Sequence, residues 1–324
     1  MHGYRGSSMV AAGKAAGVAH ASWQDLPLPV RAAVERNIGA KVVRSLRQTP
    51  EFDGGLAARL VLEGGNRVFV KALPADNPRV GGYRAEADVM SFLPENAPVP
   101  RLMSTVDGEW LALVFSDIEG TSPRLRPGSP ELSGVLTALG ALSRTLTPCP
   151  VPGAPDALED LGPLLRGWSE LSADLPDDLG DWAVRNLESL LALESSWHPW
   201  AAGDTLLHND LRPGNLVVGG PGRVQVVNWR YPARGAAWLD LVSLVPYMLA
   251  AGHEPAGVDR LLKRRPVLAG VPAWAVTAYG VALAGHYERV SRLPEPPATS
   301  GVRVDQQRLA AVTTAWLKHR TGWR

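Results

Sequence analysis

Apolar residues recur along this chain with two periods, and the change between them divides it. From Leu26 to Ile38 the positions Val30, Ala33, Val34 and Ile38 share one side, the spacing of a short helix. Ala58–Leu62 and Arg67–Ala72 read as strands around the turn Glu63-Gly64-Gly65-Asn66. Tyr83–Met90 reads as a helical stretch, with Ala85, Val89 and Phe92 on one face. Leu111–Phe115 is an apolar strand that exits into Ser116-Asp117-Ile118-Glu119-Gly120. Beyond it the period lengthens to that of a helix. Leu132, Val135, Leu136, Leu139, Leu142 and Leu146 follow it, as expected of a core helix. Short strands return at Thr205–Leu207, Leu216–Val218 and Val224–Val227. The last two flank the breakers Gly219-Gly220-Pro221-Gly222 and predict a hairpin. After the loop Pro294-Glu295-Pro296-Pro297, Leu309, Val312, Trp316 and Leu317 mark a final helix.

Composition narrows the classes. A chain of 324 residues suits one two-lobed unit or two domains, and 45% hydrophobic residues suffice for a full core. The net charge of +1 gives no global field, so neither nucleic acid nor an anionic membrane is an expected partner. The apolar run Leu239–Ala251 is too short to span a bilayer and is broken by Pro246. The single Cys149 excludes an internal disulfide and fits a reducing cytoplasm. Residues 1–22 are rich in Gly, Ala and Ser without a sustained apolar core, and are expected to form a mobile arm. Between Asp156 and Glu194, ten carboxylates face only Arg166 and Arg185. That is a solvated acidic face on the simpler reading, or a wall attractive to cationic ligands. Trp168, Trp182, Trp197 and Trp200 in the same region are expected in the core.

Candidate chemistry centres on His208-Asn209-Asp210-Leu211-Arg212-Pro213-Gly214-Asn215. This is H-x-D-x-x-x-x-N, the spacing of a kinase catalytic loop. In such a loop the Asp takes the proton of an attacking hydroxyl and the Asn holds a metal ion on the nucleotide phosphates. Here His208 would brace the loop and Asp210 would orient the hydroxyl. Pro213-Gly214 would turn Asn215 back toward the same point. The hairpin then delivers position 228 beside Asn215, in Val226-Val227-Asn228-Trp229. Upstream, Lys71 ends a strand and Glu86 sits fifteen residues later on the helical stretch, the order of a phosphate-gripping lysine and its partner. Asp53-Gly54-Gly55 offers flexible backbone amides over the phosphates, though a plain turn competes with that reading. Ser116–Gly120 is placed as a hinge whose backbone can meet an adenine edge.

Taken together these residues resemble the aminoglycoside phosphotransferase and choline kinase-like family, in particular its actinobacterial members. The likeness runs from about Trp23 to near the C-terminus. It rests on Gly54–Leu60, Val68-Phe69-Val70-Lys71-Ala72, Ala97–Leu102, the catalytic loop and Gly235–Leu241. The resemblance implies Lys71 for the α/β-phosphates with Glu86 as its partner, Asp210 as catalytic base and Asn215 as a metal ligand. It implies Asp240 as a support behind the loop. Asn228 departs from it, since the family carries Asp there. Two unit charges 4 Å apart interact by roughly 4 kcal/mol at an effective dielectric near 20. Losing a carboxylate from a doubly charged ion therefore costs several kcal/mol of metal binding, although an amide oxygen remains an acceptable ligand for a hard cation. A slow kinase, a silent nucleotide-binding protein and a substitution introduced to trap a complex all stay open at this level.

The expected architecture is α+β and protein-kinase-like. An antiparallel β N-lobe spans residues 23–116, and a helical C-lobe spans 117–324, with the cleft between them. The expected function is transfer of the γ-phosphate of ATP or GTP, with Mg2+, to a hydroxyl of a small molecule such as an aminoglycoside or another natural product. The alternative is a catalytically silent pseudokinase that binds nucleotide or peptide and scaffolds a partner enzyme.

Overall fold

The computed structural model describes residues 14–15, 21–48, 55–220, 222–295 and 299–324. The expected N-terminal arm lies almost wholly outside them. Strand β1 (Lys14–Ala15) pairs antiparallel with β11 (Thr299–Ser300).

The N-lobe is a five-stranded antiparallel sheet of β2 (Val42–Arg47), β3 (Leu56–Leu62), β4 (Arg67–Pro74), β5 (Leu102–Val106) and β6 (Trp110–Ser116), in the order β2-β3-β4-β6-β5. Alternation along β3 sends Leu56, Ala58, Leu60 and Leu62 to one face. There they pack with Val68, Val70 and Ala72 against Trp23, Leu26, Val30 and Val34. The last two belong to α1 (Leu28–Ile38), which starts two residues later than the apolar pattern suggests because Pro27 is its N-cap. The opposite face carries Lys71 and Leu73, with Leu111, Leu113 and Phe115 beside them, and receives Val80 and Tyr83 of α2 (Val80–Met90). Phe92, expected on the α2 face, lies beyond its C-cap Ser91 and is 45% exposed.

The chain crosses to the C-lobe through Asp117–Gly120, and Thr121 and Val218 exchange backbone hydrogen bonds of 3.2 and 2.8 Å. α3 (Pro130–Thr145) opens with Pro130 at its first position, and Ser129 Oγ accepts the Glu131 amide at 3.2 Å. It buries Leu132, Val135, Leu136, Leu139 and Leu142 as its periodicity predicts. The acidic stretch folds as α4 (Ala157–Leu164), α5 (Gly167–Ala173), α6 (Asp181–Arg185) and α7 (Leu187–Glu194). Trp168, Trp182 and Trp197 are core, whereas Trp200 is 36% exposed. Glu194 is no solvated charge: it is buried and accepts the amides of Trp168 at 2.6 Å and Ser169 at 3.0 Å.

β7 (Thr205–Leu207) pairs with β10 (Ala233–Gly235), and β8 (Leu216–Val218) with β9 (Val224–Val226) in the expected hairpin. α8 (Trp238–Ser243) and α9 (Val245–Ala250) divide the apolar run just before Pro246. After α10 (Pro255–Lys263), α11 (Ala273–Val290) crosses the lobe buried on nearly every side, and α12 (Val302–Thr321) packs along it. No helix among the described residues is long and apolar enough to cross a membrane.

Two glycines set how closely α5 and α11 cross. A Cβ on Gly167 would collide with the backbone carbonyl of Gly285, and one on Gly285 would meet the Trp168 ring at 2.6 Å. Backbone cannot swing aside as a side-chain tip can. Gly167→Ala is therefore expected to destabilise the fold by about 1–3 kcal/mol, read as a lowered urea midpoint. An unchanged midpoint would contradict this account of the crossing.

Candidate functional site

Five side chains form one connected chain from the N-lobe sheet to the loop after β7. Lys71, on the inner face of β4, forms an ion pair with Glu86 of α2, and the two side chains are 5% and 1% exposed. The other carboxylate oxygen of Glu86 accepts the Trp229 amide at 3.2 Å. Lys71 also donates to Asn228 Oδ1 at 3.1 Å. Its ammonium lies 5.3 and 5.2 Å from the ring centres of Tyr83 and Phe115, which shield it from water and favour its charge. Asn228 Nδ2 donates to Asn215 Oδ1 at 2.9 Å. Asn215 Nδ2 in turn donates to the carbonyl of Asp210 at 2.8 Å and to its Oδ2 at 3.0 Å. Lys71, Glu86, Asn228, Asn215 and Asp210, singled out by spacing alone, thus meet in space.

The segment that begins at His208 is held from behind. The carboxylate of Asp240, in the first turn of α8, accepts the His208 amide at 2.8 Å and the Asn209 amide at 3.0 Å. The two bonds fix the turn in which Asn209 takes a φ of +63°. Asn228 has a φ of +66°, also in the left-handed region. Asn and Asp enter that region more readily than other non-glycine residues, because a short polar side chain can bond locally. Position 228 is thus restricted to a few residue types before any chemistry is considered.

His208 is fully buried, and burial pushes its imidazole down to about 4. The ring is therefore neutral at physiological pH, and its neighbours select the tautomer. Nε2 lies 2.9 Å from the Val227 carbonyl, which only accepts, so Nε2 carries the hydrogen. Nδ1 accepts the Asp210 amide at 3.3 Å. His208 thereby ties the loop to the end of β9, and its ring meets Trp229 edge-on at 5.0 Å.

Burial raises the Asp210 carboxyl to about 6, against the opposing pull of the Arg212 guanidinium and the Asn215 amide. Arg212 Nε stands 3.5 Å from Asp210 Oδ2. Burial also raises Asp240 to about 6, with the His208 and Asn209 amides opposing. Asp210 further lines a narrow pocket with Asn209, Leu211, Ser243, Tyr247 and Tyr287. Burial holds both tyrosines above the usual phenol range, so their hydroxyls stay protonated.

Two expected parts stand differently. Gly54 lies outside the described residues. Gly55 is buried, and a Cβ there would collide with the Ala72 carbonyl and come within 2.6 Å of the Leu73 side chain. Close approach of β3 to β4 explains that glycine. In the expected hinge, the Ile118 carbonyl accepts from Arg59 at 3.0 Å, and Arg59 also pairs with Asp117 at 2.5 Å. Arg67 joins the cluster at 3.1 Å from Asp117 and 2.9 Å from Glu119. Arg59 and Arg212 escaped the sequence reading. Only Arg212 left a signal there, its position two residues after Asp210.

The fit of a magnesium ion can be judged from the donors. Asn215 and Asn228 are both neutral. The Oδ1 of Asn215 accepts from Asn228 and the Oδ1 of Asn228 accepts from Lys71, so an ion would compete with a hydrogen-bond donor at each oxygen. No group of three or more His, Cys, Asp or Glu side chains among the described residues could hold a metal ion. This arrangement does not fit a hard dication, which favours charged or free oxygen ligands.

The profile of the phosphotransferase enzyme family matches residues 50–279. The fold is similar to that of a thermostable mutant of the aminoglycoside phosphotransferase APH(4)-Ia in its apo form, with a TM-score of 0.59, 13% identity and coverage of 90% of this chain and 99% of that one. Another structure of that phosphotransferase mutant holds ADP and hygromycin B. A putative fructosamine-3-kinase from Thermobifida fusca matches with a TM-score of 0.55 and 21% identity over 89% of this chain and 98% of that one. The choline kinase LicA from Streptococcus pneumoniae matches at 0.57 and 12% identity, over 89% and 99% of the two chains. At such identities the likeness is one of fold. A search among curated proteins returned no match.

The Lys71–Glu86 pair generates a stability prediction. Neutralising one partner of a buried pair leaves the other charge uncompensated, which costs about 3–5 kcal/mol. Glu86→Gln should lose stability of that order in urea unfolding, and adding Lys71→Met should recover part of it. A double variant as destabilised as the sum of the single ones would show that the two charges are not coupled.

Proposed function

We propose that this chain, which belongs to the phosphotransferase enzyme family, moves the γ-phosphate of ATP or GTP to a hydroxyl of a small molecule of aminoglycoside or other natural-product type. The observation that carries the reading is the unbroken run of contacts from Glu86 through Lys71, Asn228 and Asn215 to Asp210. It joins a cation suited to gripping phosphates on the sheet to a candidate base on the loop after β7.

Each residue then has a task. Lys71, oriented by Glu86, presents its ammonium to the α- and β-phosphates. Asp210 receives the proton of the acceptor hydroxyl as that oxygen bonds to the γ-phosphorus and the bond to the β–γ bridging oxygen breaks. A carboxyl near 6 suits this work, being ionised at neutral pH yet more basic than an exposed aspartate. Arg212, beside Asp210, adds positive charge where the transferring group would pass. Asp240 and His208 keep the loop in position. APH(4)-Ia with ADP and hygromycin B is a pairing of the same kind.

One observation favours a second reading. The neutral, fully engaged Asn228 suits a pseudokinase that binds nucleotide without transferring phosphate and scaffolds a partner enzyme.

Incubation with ATP or GTP and a panel of hydroxylated natural products, read by mass spectrometry, separates the two. On the enzymatic reading a phosphate monoester forms, and Asp210→Asn lowers turnover by about 10²–10⁴-fold. The base must be ionised, so wild-type kcat/KM should fall as the pH drops through about 6. Transfer that is indifferent to Asp210, or that lacks this acid limb, would contradict its assignment.

A further inference from the structure

We propose that the carboxamide of Asn228 takes the place of a divalent cation in this cleft, so that nucleotide binds without one. The inference rests on the nucleotide reading above and concerns how that same site is held together.

Asn215 and Asn228 bond to each other and to the residues on either side. Asn215 has one acceptor oxygen and two N–H groups. The oxygen accepts from Asn228 at 2.9 Å, and the amide nitrogen donates to the carbonyl and carboxylate of Asp210 at 2.8 and 3.0 Å. Asn228 bridges outward, taking the Lys71 ammonium on its oxygen at 3.1 Å. Both amide oxygens already accept a hydrogen bond, so an ion would have to compete for them with the Asn228 amide and the Lys71 ammonium.

An aspartate at 228 would reverse the logic. It has no N–H, so a carboxylate oxygen would face Asn215 Oδ1 and two lone pairs would oppose each other. A cation relieves that opposition; a carboxamide removes it by supplying a donor of its own. Charge points the same way. Lys71 has Glu86 as its carboxylate partner, and no carboxylate stands at 228 to offset a dication brought close to the ammonium. A bound polyphosphate would instead find its countercharge in Lys71 and Arg212. The left-handed backbone at 228 accepts Asn and Asp alike, so the exchange leaves the main chain undisturbed.

The test uses the full chain, wild type and Asn228→Asp, with two readouts. The first is thermal unfolding with Mg2+ or Mn2+ alone and with chelator. Wild type should show no metal-dependent shift, whereas Asn228→Asp should be stabilised by the ion. The second is nucleotide affinity by calorimetry. Wild type should bind ATP or GTP equally, within about twofold, with Mg2+ or with chelator, and Asn228→Asp should bind at least about tenfold more tightly with Mg2+. Wild-type stabilisation by metal alone, or wild-type nucleotide binding that needs Mg2+, would overturn the proposal, as would a folded Asn228→Asp that ignores the ion. If neither protein bound nucleotide but the variant gained the metal response, the nucleotide reading of the cleft would fall while the closed metal site stood. Should the variant not fold, the wild-type comparison alone still decides.

Discussion

The ion pair between Lys71 and Glu86 is the contact on which the rest of the cleft depends. Two charges this deeply buried carry a desolvation penalty of several kcal/mol each, and attraction offsets it only when geometry and extra hydrogen bonds are good. Here the extra bonds reach across the molecule. Glu86 takes the amide of Trp229, and Lys71 takes the oxygen of Asn228. A pair that needs satisfying thereby draws β4, α2 and the segment after β9 to one point. Tyr83 and Phe115 seal it from water, which strengthens the attraction within.

From that point the C-lobe follows by short steps. Asn228 reaches Asn215, Asn215 reaches Asp210, and Asp210 sits in a loop whose amides are anchored on Asp240. His208 closes the circuit back to Val227. The loop is thus held partly by a buried imidazole that stays neutral above about 4 and partly by the Asp240 carboxylate, which burial raises to about 6. The groups left free to respond near neutrality are the two carboxyls raised by burial, Asp210 and Asp240. A carboxyl raised in the fold favours its protonated form there. Both therefore contribute stability most fully below the ordinary aspartate range, and that contribution fades as the pH climbs through about 6. Keeping these two buried carboxylates ionised at neutral pH therefore costs the fold some stability.

Local spacing in the sequence was enough to find the loop, the hairpin and the Lys71–Glu86 pair, because each rests on turns, strands and helix periods of a few residues. Strands β3, β4 and β6 and the core helix α3 were legible for the same reason, whereas β2 and β5 left no such pattern and the two-lobed architecture followed from the family resemblance. What escaped notice depends on distant partners. Trp229 gives its amide to a residue 143 positions away, and Arg59 clamps Asp117 from 58 positions away. The simple reading of the acidic stretch failed at Glu194, whose carboxylate is consumed by two amides of α5. Phe92 looks like core by type yet stands beyond the end of its helix, and Trp200 closes a single 3-10 turn at the surface. Gly55 reads as a phosphate loop by composition, and the packing of β3 on β4 accounts for it instead.

The central claim is that the linked residues form one nucleotide cleft, and amide hydrogen exchange with and without ATP or GTP tests it most directly. The account predicts that nucleotide slows exchange in concert around Lys71 in β4, around Glu86 in α2, and at Asn215 and Trp229, while α10 and α12 stay unchanged. Protection confined to one lobe, or centred away from these residues, would contradict it.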